Sequence, residues 1–249
     1  MKDVIFNFTD KRFVVIGASS GIGLQILTEI VAGGGAALAI ARSQDKLALL
    51  KERFNIATKA VDVRDRDAME TAITEFVNMH GKIHGSIYTA GISKTTVLRS
   101  YSQEEATTLM DINFWGWINL MTILNKKKFT EDCSSHIVIS SVSAHKGEAG
   151  SFAYNASKAS LITCVKTFAK ELAKRKCRVN AISPGFIHTP LSENYFDNRG
   201  FSDKTIEKHL LGLGKPEDVS GLALFLLSDR AKWITGAEFI IDGGYLISD

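Results

Sequence analysis

The sequence predicts an α/β fold: a Rossmann-like, doubly wound parallel sheet of about seven strands with helices on both faces. Three observations carry this prediction. Short β-branched runs alternate with longer stretches of helical periodicity along the chain. A glycine-rich turn joins the first strand pattern to the first helix pattern. The 249 residues are 45% hydrophobic and 23% charged, and at this size folding buries about 70% of the unfolded surface without staples.

The elements follow in order. Residues 13–16 form a buried strand, and Ile22, Ile26, Leu27 and Ile30 then repeat at helical spacing. Gly33, Gly34 and Gly35 end that helix, because glycine tolerates a left-handed cap. Residues 36–41 give the second strand, 44–53 a helix, 59–61 the third strand, 67–79 a helix and 86–89 the fourth strand. Ser102 and Glu105 form an S-x-x-E capping box that opens one long helix. Strand 137–140 and helix 152–174 follow, the latter closed by Lys174-Arg175-Lys176, whose charge suits a helix C-terminus. Strand 179–182, helix 216–227 and strand 239–241 complete the pattern. Residues 186–214 are the one long irregular stretch, expected to be a substrate lid. No repeat or linker divides the chain, so residues 1–249 are expected to form a single dinucleotide-binding domain.

Composition excludes several classes. Disorder is incompatible with the apolar content. A net charge of +3 is too weak an indication of nucleic acid. The longest apolar runs, 36–41 and 222–227, are too short to span a bilayer. The first ten residues carry Asp3 and Asp10 and lack a signal peptide's apolar stretch. Cys133, Cys164 and Cys177 are an odd, sparse set without C-x-x-C spacing, which points to reduced thiols. The expected location is the cytoplasm.

Gly17-Ala18-Ser19-Ser20-Gly21-Ile22-Gly23 sits between strand and helix. Glycines let backbone approach a pyrophosphate, and the helix N-terminus offers unpaired N–H groups. The spacing is G-x-x-x-G-x-G and lacks the Gly-Lys-Ser/Thr ending of a nucleotide-hydrolysing loop. At the end of the second strand stands Ala41, where a carboxylate would select the 2′-hydroxyl of NAD, and Arg42 follows. A guanidinium there suits a 2′-phosphate, with Ser19 and Ser43 as further donors, so NADP(H) is expected over NAD(H); a merely solvated Arg42 is the alternative. Asp62 would accept from the adenine amino group or else cap a helix, while Val63 packs on the ring. Ala90 and Gly91 offer bare backbone to a ribose.

Tyr154 and Lys158, spaced i, i+4, share one helix face. An ammonium beside a phenol favours the phenolate, so the pair can pass a proton to or from an alkoxide. Ser141 supplies a hydroxyl for a carbonyl oxygen, with Ser140 and Ser143 as rivals.

These residues, together with Asn113, Asn180-Ala181-Ile182-Ser183-Pro184-Gly185, Thr189 and Asp242-Gly243-Gly244, resemble the short-chain dehydrogenase/reductases of the single-domain type over residues 12–244. The resemblance implies Tyr154 as general acid/base and Lys158 as its partner and ribose ligand. It implies Ser141 as the carbonyl-polarising hydroxyl and Asn113 as holder of a water linking Lys158 to solvent. Pro184, Gly185, Ile187 and Thr189 would flank the nicotinamide. It also implies a homotetramer, with the helices around Asn113 and Lys158 packing at one interface. One departure is visible: the family's Asn-Asn-Ala-Gly is Tyr88-Thr89-Ala90-Gly91 here, so local hydrogen bonding is expected to differ.

The expected reaction is hydride transfer between nicotinamide and a carbonyl or secondary alcohol. A 3-oxoacyl thioester on acyl carrier protein is the first candidate substrate; a sugar, polyol or steroid-like alcohol is the second. A non-catalytic dinucleotide sensor is the rival from another class. Lys126-Lys127-Lys128 and Arg175 are candidates to face an acidic carrier, against plain solvation. Leu191, Tyr195, Phe196 and Phe201 are candidate lid residues, and His145, Lys146 and Glu148 lie near the expected pocket mouth. Lys94 and Arg99 follow the fourth strand, where they would meet an anionic substrate or face solvent. His188 would line the cleft, and no second His stands at ligand spacing, so no metal is expected. Trp115 and Trp117 are assigned to packing or a subunit interface.

Overall fold

The computed structural model describes residues 6–197 and 206–248. Its sheet is built from β1 (Arg12–Ile16), β2 (Ala36–Ala41), β3 (Ala57–Ala60), β4 (Ile83–Tyr88), β5 (Thr130–Ile139), β6 (Arg178–Pro184) and β7 (Glu238–Ile241). The strands lie in the order β3-β2-β1-β4-β5-β6-β7, and every neighbouring pair is parallel. The chain winds outward from β1 to β3, then crosses back to β4. The topological switch point therefore falls between β1 and β4, where a crevice opens beyond the strand ends.

Strand side chains alternate between the two faces, and each face has its own helices. Phe13 and Val15 of β1 join Ile26, Leu27 and Ile30 of α1 (Gly21–Ala32), Leu47 and Leu50 of α2 (Gln44–Phe54), and Val219, Ala223 and Leu224 of α8 (Pro216–Leu227). Val14 and Ile16 point the other way. They join Met69, Ile73 and Phe76 of α3 (Arg66–His80), Trp117, Leu120 and Ile123 of α5 (Gly116–Leu124), and Leu161 and Val165 of α6 (Phe152–Leu172). Trp117 is thus core, whereas Trp115 is exposed.

Most boundaries match the periodicity, and the differences have physical causes. The expected long helix from Ser102 is α4 (Gln103–Met110), a π-helical segment (Asp111–Trp115) and α5. Ser102 accepts from the Glu105 amide at 3.3 Å, but the Glu105 carboxylate pairs with Lys94, so only half of the capping box forms. β5 begins seven residues earlier than expected, because its polar start buries Ser134 and Ser135 on side-chain and carbonyl partners. β3 lies two residues earlier than expected, at a half-exposed sheet edge where the hydrophobic pattern is weak. Helix 152–174 ends at Leu172 and tightens into a 3₁₀ turn. Part of the irregular 186–214 stretch is helical, as α7 (Pro190–Asp197).

Lys126 and Arg175 need a correction. Lys126 pairs with Glu70 at 2.6 Å, and Arg175 with Asp132 at 2.8 Å. Both residues precede the starts of β5 and β6, the edge of a parallel sheet opposite the crevice. They are structural ion pairs and do not flank the mouth of the cleft.

Candidate active site

The crevice is lined by the segments that leave the strand ends: the glycine turn after β1, Ala41 and Arg42 after β2, Val61 to Val63 after β3, and Thr89 to Gly91 after β4. Ser140 to Ser143 after β5 and Pro184 to Ile187 at the end of β6 complete it, with Tyr154, Lys158 and Thr189. Of the expected site residues, all line this one cleft except Ser43 and Asn113. Ser43 caps α2, its hydroxyl accepting from the Lys46 amide. Asn113 lies behind the wall, fully buried.

The glycine turn is built for close approach. Gly17 has φ +82°, and a Cβ there would meet the Ala90 amide nitrogen at 2.7 Å. A methyl on Gly23 would overlap the Gly17 carbonyl and Thr89 Oγ1. Gly23→Ala should therefore push α1 off β1, lowering stability by about 2 kcal/mol and weakening dinucleotide binding about tenfold or more; thermal melts and a cofactor titration measure both. Thr89 fills the position where the family pattern has an amide, and its hydroxyl donates to the Ile16 carbonyl at 2.8 Å, tying β4 to β1 at the switch point.

The α1 N-terminus is left open toward the cleft. Ser20 occupies the N-cap with extended backbone but makes no side-chain capping bond, and the first turn has no acidic residue. Its amides and positive dipole end are available to an anion, so a pyrophosphate fits here. The Thr189 methyl would lie 3.1 Å from a Cβ on Gly21, which sets the segment after β6 over this turn.

At the β2 end Arg42 is exposed. The nearby Asp62 carboxylate is gripped by Arg64 through Nε at 3.0 Å, Nη2 at 2.7 Å and the main-chain amide at 3.0 Å. The Arg64 hydrogen bond chiefly holds the Asp62 carboxyl below its usual range. The alternative capping role is filled by Asp65, which accepts from the Ala68 amide.

Ser141, Tyr154 and Lys158 meet at the other end. Ser141, buried two residues beyond β5, has extended backbone and accepts from the Ser143 amide at 3.1 Å. Its rival Ser140 is spent on the Lys158 carbonyl at 2.8 Å, clamping α6 to β5. Ser143 also lines the cleft. The Lys158 ammonium is 5.7 Å from the centre of the Tyr154 ring and donates to the Ile139 carbonyl at 2.9 Å. Burial pushes its pKa down to about 8. Gly91 borders both neighbours: a Cβ there would lie 3.6 Å from Lys158 Nζ and 3.4 Å from Asn113 Oδ1.

Three of the four hydrogen-bonding sites of the Asn113 amide are engaged. It accepts from the Ile92 amide (2.8 Å), and its nitrogen donates to the Ile92 carbonyl (3.0 Å) and to Ser157 Oγ (3.0 Å). The residue sits in the π-helical segment, a distortion that frequently marks functional sites.

The remaining candidates divide. Glu148 and Leu191 line the cleft. His145 turns to Glu238 at 2.6 Å, and Lys146 lies over the Tyr245 ring. His188 is exposed outside the lining, as is Arg99. The side chains of Tyr195 and Phe196, and the whole of Phe201, lie outside the described residues. Among the described residues no three His, Cys, Asp or Glu converge as metal ligands. Sequence reasoning missed Ser93, Ser151, Phe186 and Ser192 as cleft residues. Their positions after β4, before α6 and after β6 were the available signal.

Comparison with known proteins agrees with this fold. Residues 17–246 match a family model described as enoyl-(acyl carrier protein) reductase. The chain is 33% identical over 243 residues to a 3-oxoacyl-[acyl-carrier-protein] reductase, FabG, of Thermotoga maritima, covering 95% of this chain and 98% of the relative. It is 29% identical to an L-xylulose reductase of Caenorhabditis elegans, covering 96% and 97%. Among solved structures it superposes on a short-chain dehydrogenase/reductase of Brucella melitensis, described as a glucose/ribitol dehydrogenase. That match has a TM-score of 0.91 and 26% identity, covering 97% and 99%.

Proposed function

Because the chain belongs to the short-chain dehydrogenase/reductase family, oxidoreductases that act on CH–OH and carbonyl groups with NAD(P), we propose that it is an NADP(H)-dependent carbonyl reductase, reversible as an alcohol dehydrogenase. One observation carries this reading: Ser141, Tyr154 and Lys158 line the same cleft as the uncapped α1 N-terminus.

In this reading the amides of Ser20, Gly21, Ile22 and Gly23 hold the pyrophosphate, aided by Gly17 and Ser19. Asp62 and Val63 border the adenine, while Ala90 and Gly91 leave room for a ribose. Pro184, Gly185, Ile187 and Thr189 flank the nicotinamide, which when bound supplies or takes up the hydride at C4. The Ser141 hydroxyl donates to the substrate carbonyl oxygen and orients it. Tyr154 gives its phenolic proton to that oxygen as negative charge develops there. The Lys158 ammonium stabilises the phenolate left behind. Asn113 positions the segment after β4 against α6. In the same reading Asn113 would hold a water that links Lys158 to solvent.

NADP(H) preference is supported by Arg42 and Ser19 in the same lining, by Ala41 where a carboxylate would stand, and by the neutralisation of Asp62 on Arg64. Ser43 is a more distant donor. Arg42→Ala is expected to cut the NADPH-to-NADH ratio of kcat/KM by about 10- to 100-fold, the worth of one charge-assisted hydrogen bond. Steady-state kinetics with both cofactors measures it, and an unchanged ratio returns Arg42 to plain solvation.

A 3-oxoacyl thioester substrate is supported by the Thermotoga maritima relative. A hydroxylated carbonyl is a second reading, favoured by Ser93, Ser143, Glu148 and Ser151 in the lining. A homotetramer is supported by Trp115 and Phe152, both exposed apolar residues on the elements bearing Asn113 and Lys158. Cytoplasmic residence fits the free cysteines, and among the described residues no helix is long and apolar enough to cross a membrane. The test is a carbonyl panel with NADPH and NADH, followed by loss of reduced-cofactor absorbance. Turnover of at least one carbonyl is expected. NADPH binding without any turnover would favour the sensor.

A further inference from the structure

Among the described residues two carboxylates line the cleft, and they are partnered differently. Asp62, at the Arg42 end, is neutralised by Arg64. Glu148 lies at the other end, between the Ser141 turn and α6, which carries Tyr154. Among the described residues no cation pairs with Glu148. The one hydrogen bond of its carboxylate there is at Oε1, which accepts from the Tyr245 hydroxyl at 2.8 Å. Tyr245 is itself held fast, only 4% exposed. Its ring stacks on His209 with centroids 4.5 Å apart, meets Phe186 edge-on at 5.9 Å, and carries Lys146 Nζ 4.3 Å above its centre. The carboxylate is therefore fixed in place.

An ionised carboxylate only accepts hydrogen bonds, and it has about four sites at which to do so. With one taken by Tyr245, the rest require donors. In the open cleft water supplies them. A substrate that displaces this water must bring a donor of its own or leave a charge uncompensated. An unadorned acyl chain brings none.

We infer that Glu148 is a specificity-determining residue: its carboxylate, held by Tyr245, accepts from a hydroxyl group on the substrate. The favoured substrate is then a polyhydroxylated ketone or aldehyde, or the matching polyol. This deepens the second substrate reading and rests on the reductase assignment.

The test compares erythrulose and xylulose with the hydroxyl-free 2,3-hexanedione and cyclohexanone, in NADPH and in NADH. The ketoses should give the higher kcat/KM in the unmodified enzyme. Glu148→Leu should lower ketose kcat/KM by about 10- to 100-fold, mainly through KM, and raise that for the dione several-fold. Tyr245→Phe leaves the lining intact and should lower only the ketose values, by about threefold or more. If Glu148→Leu does not fold by thermal melt, the isosteric Glu148→Gln is read instead, with the same signs expected. Equal effects on ketoses and diones overturn the inference. So does an enzyme that reduces the dione but no ketose, and that outcome leaves the reductase assignment standing. Turnover of neither class with either cofactor overturns the inference as well, while the reductase assignment stands or falls on the wider carbonyl panel.

Discussion

Tyr154→Phe should lower turnover by about 10³-fold or more while leaving NADPH affinity within about threefold. The phenol ring packs on the same helix face as Lys158, and phenylalanine keeps that packing. What disappears is the proton donor. A factor of 10³ corresponds to about 4 kcal/mol of transition-state stabilisation, within what a positioned general acid supplies. The proposed pyrophosphate seat is the α1 N-terminus and does not involve the Tyr154 hydroxyl, so binding and chemistry should separate. Stopped-flow hydride transfer and a fluorescence titration measure the two arms. Residual turnover above about a tenth of the unmodified rate would remove Tyr154 from its role. A pH profile adds an independent readout. The buried Lys158, with its pKa pushed down to about 8, loses its charge above that value, so reduction should weaken on the alkaline side.

Acidification should destabilise the fold through His136. The imidazole is wholly buried in β5, between Ser86 Oγ at 2.9 Å from Nδ1 and Ser134 Oγ at 3.1 Å from Nε2. Ser134 donates to Cys177 Sγ, so it must accept from His136 Nε2–H, which leaves Nδ1 to accept from Ser86. The ring is therefore neutral and fully satisfied. Burial first, then Arg175 and Arg178, push its pKa down to about 3. An unfolded histidine titrates near 6.5. Below that value the unfolded chain takes up a proton that the folded chain refuses, so stability falls as pH drops from about 6.5 toward 3, at up to about 1.4 kcal/mol per pH unit. The ceiling of about 5 kcal/mol is a large share of a typical domain's net stability. Urea melts of the unmodified protein and His136→Gln at pH 7, 5 and 4 check this. The variant should be weaker at pH 7, and its deficit should shrink on acidification. A deficit constant with pH would mean that protonation of this ring is not the cause.

Much of this architecture is written locally. β2 and α8 match their hydrophobic patterns residue for residue, because both are apolar runs covered by neighbours. The glycine turn, Ser141 and the Tyr154–Lys158 pair are legible because each is fixed by position after a strand or by one helical turn. Other features depend on distant partners. The start of β5 reads as polar loop until Ser135 finds the Leu226 carbonyl, 91 residues on. Glu148 acquires its meaning from Tyr245, 97 residues away. Lys126 and Arg175 read either as solvated charge or as a carrier-facing patch until the parallel sheet places them at the opposite edge. The residues that build the π-helical segment, Asp111 to Trp115, carry ordinary helical composition. Gly116, against the Tyr88 hydroxyl and Val63, shows how closely this stretch is pressed to the sheet.

That segment also works as a phase adjuster. Inserting one residue into a continuous rod turns everything beyond it by about 100°. Before the insertion, Ala106 and Leu109 face Ala153 on α6; after it, Trp117, Leu120 and Ile123 face the sheet. The two halves are thus geared to different neighbours, with Asn113 at the joint. Its length is consequently the least negotiable dimension of the rod: shortening it by one residue would regularise the helix and rotate a tryptophan-centred core face toward water.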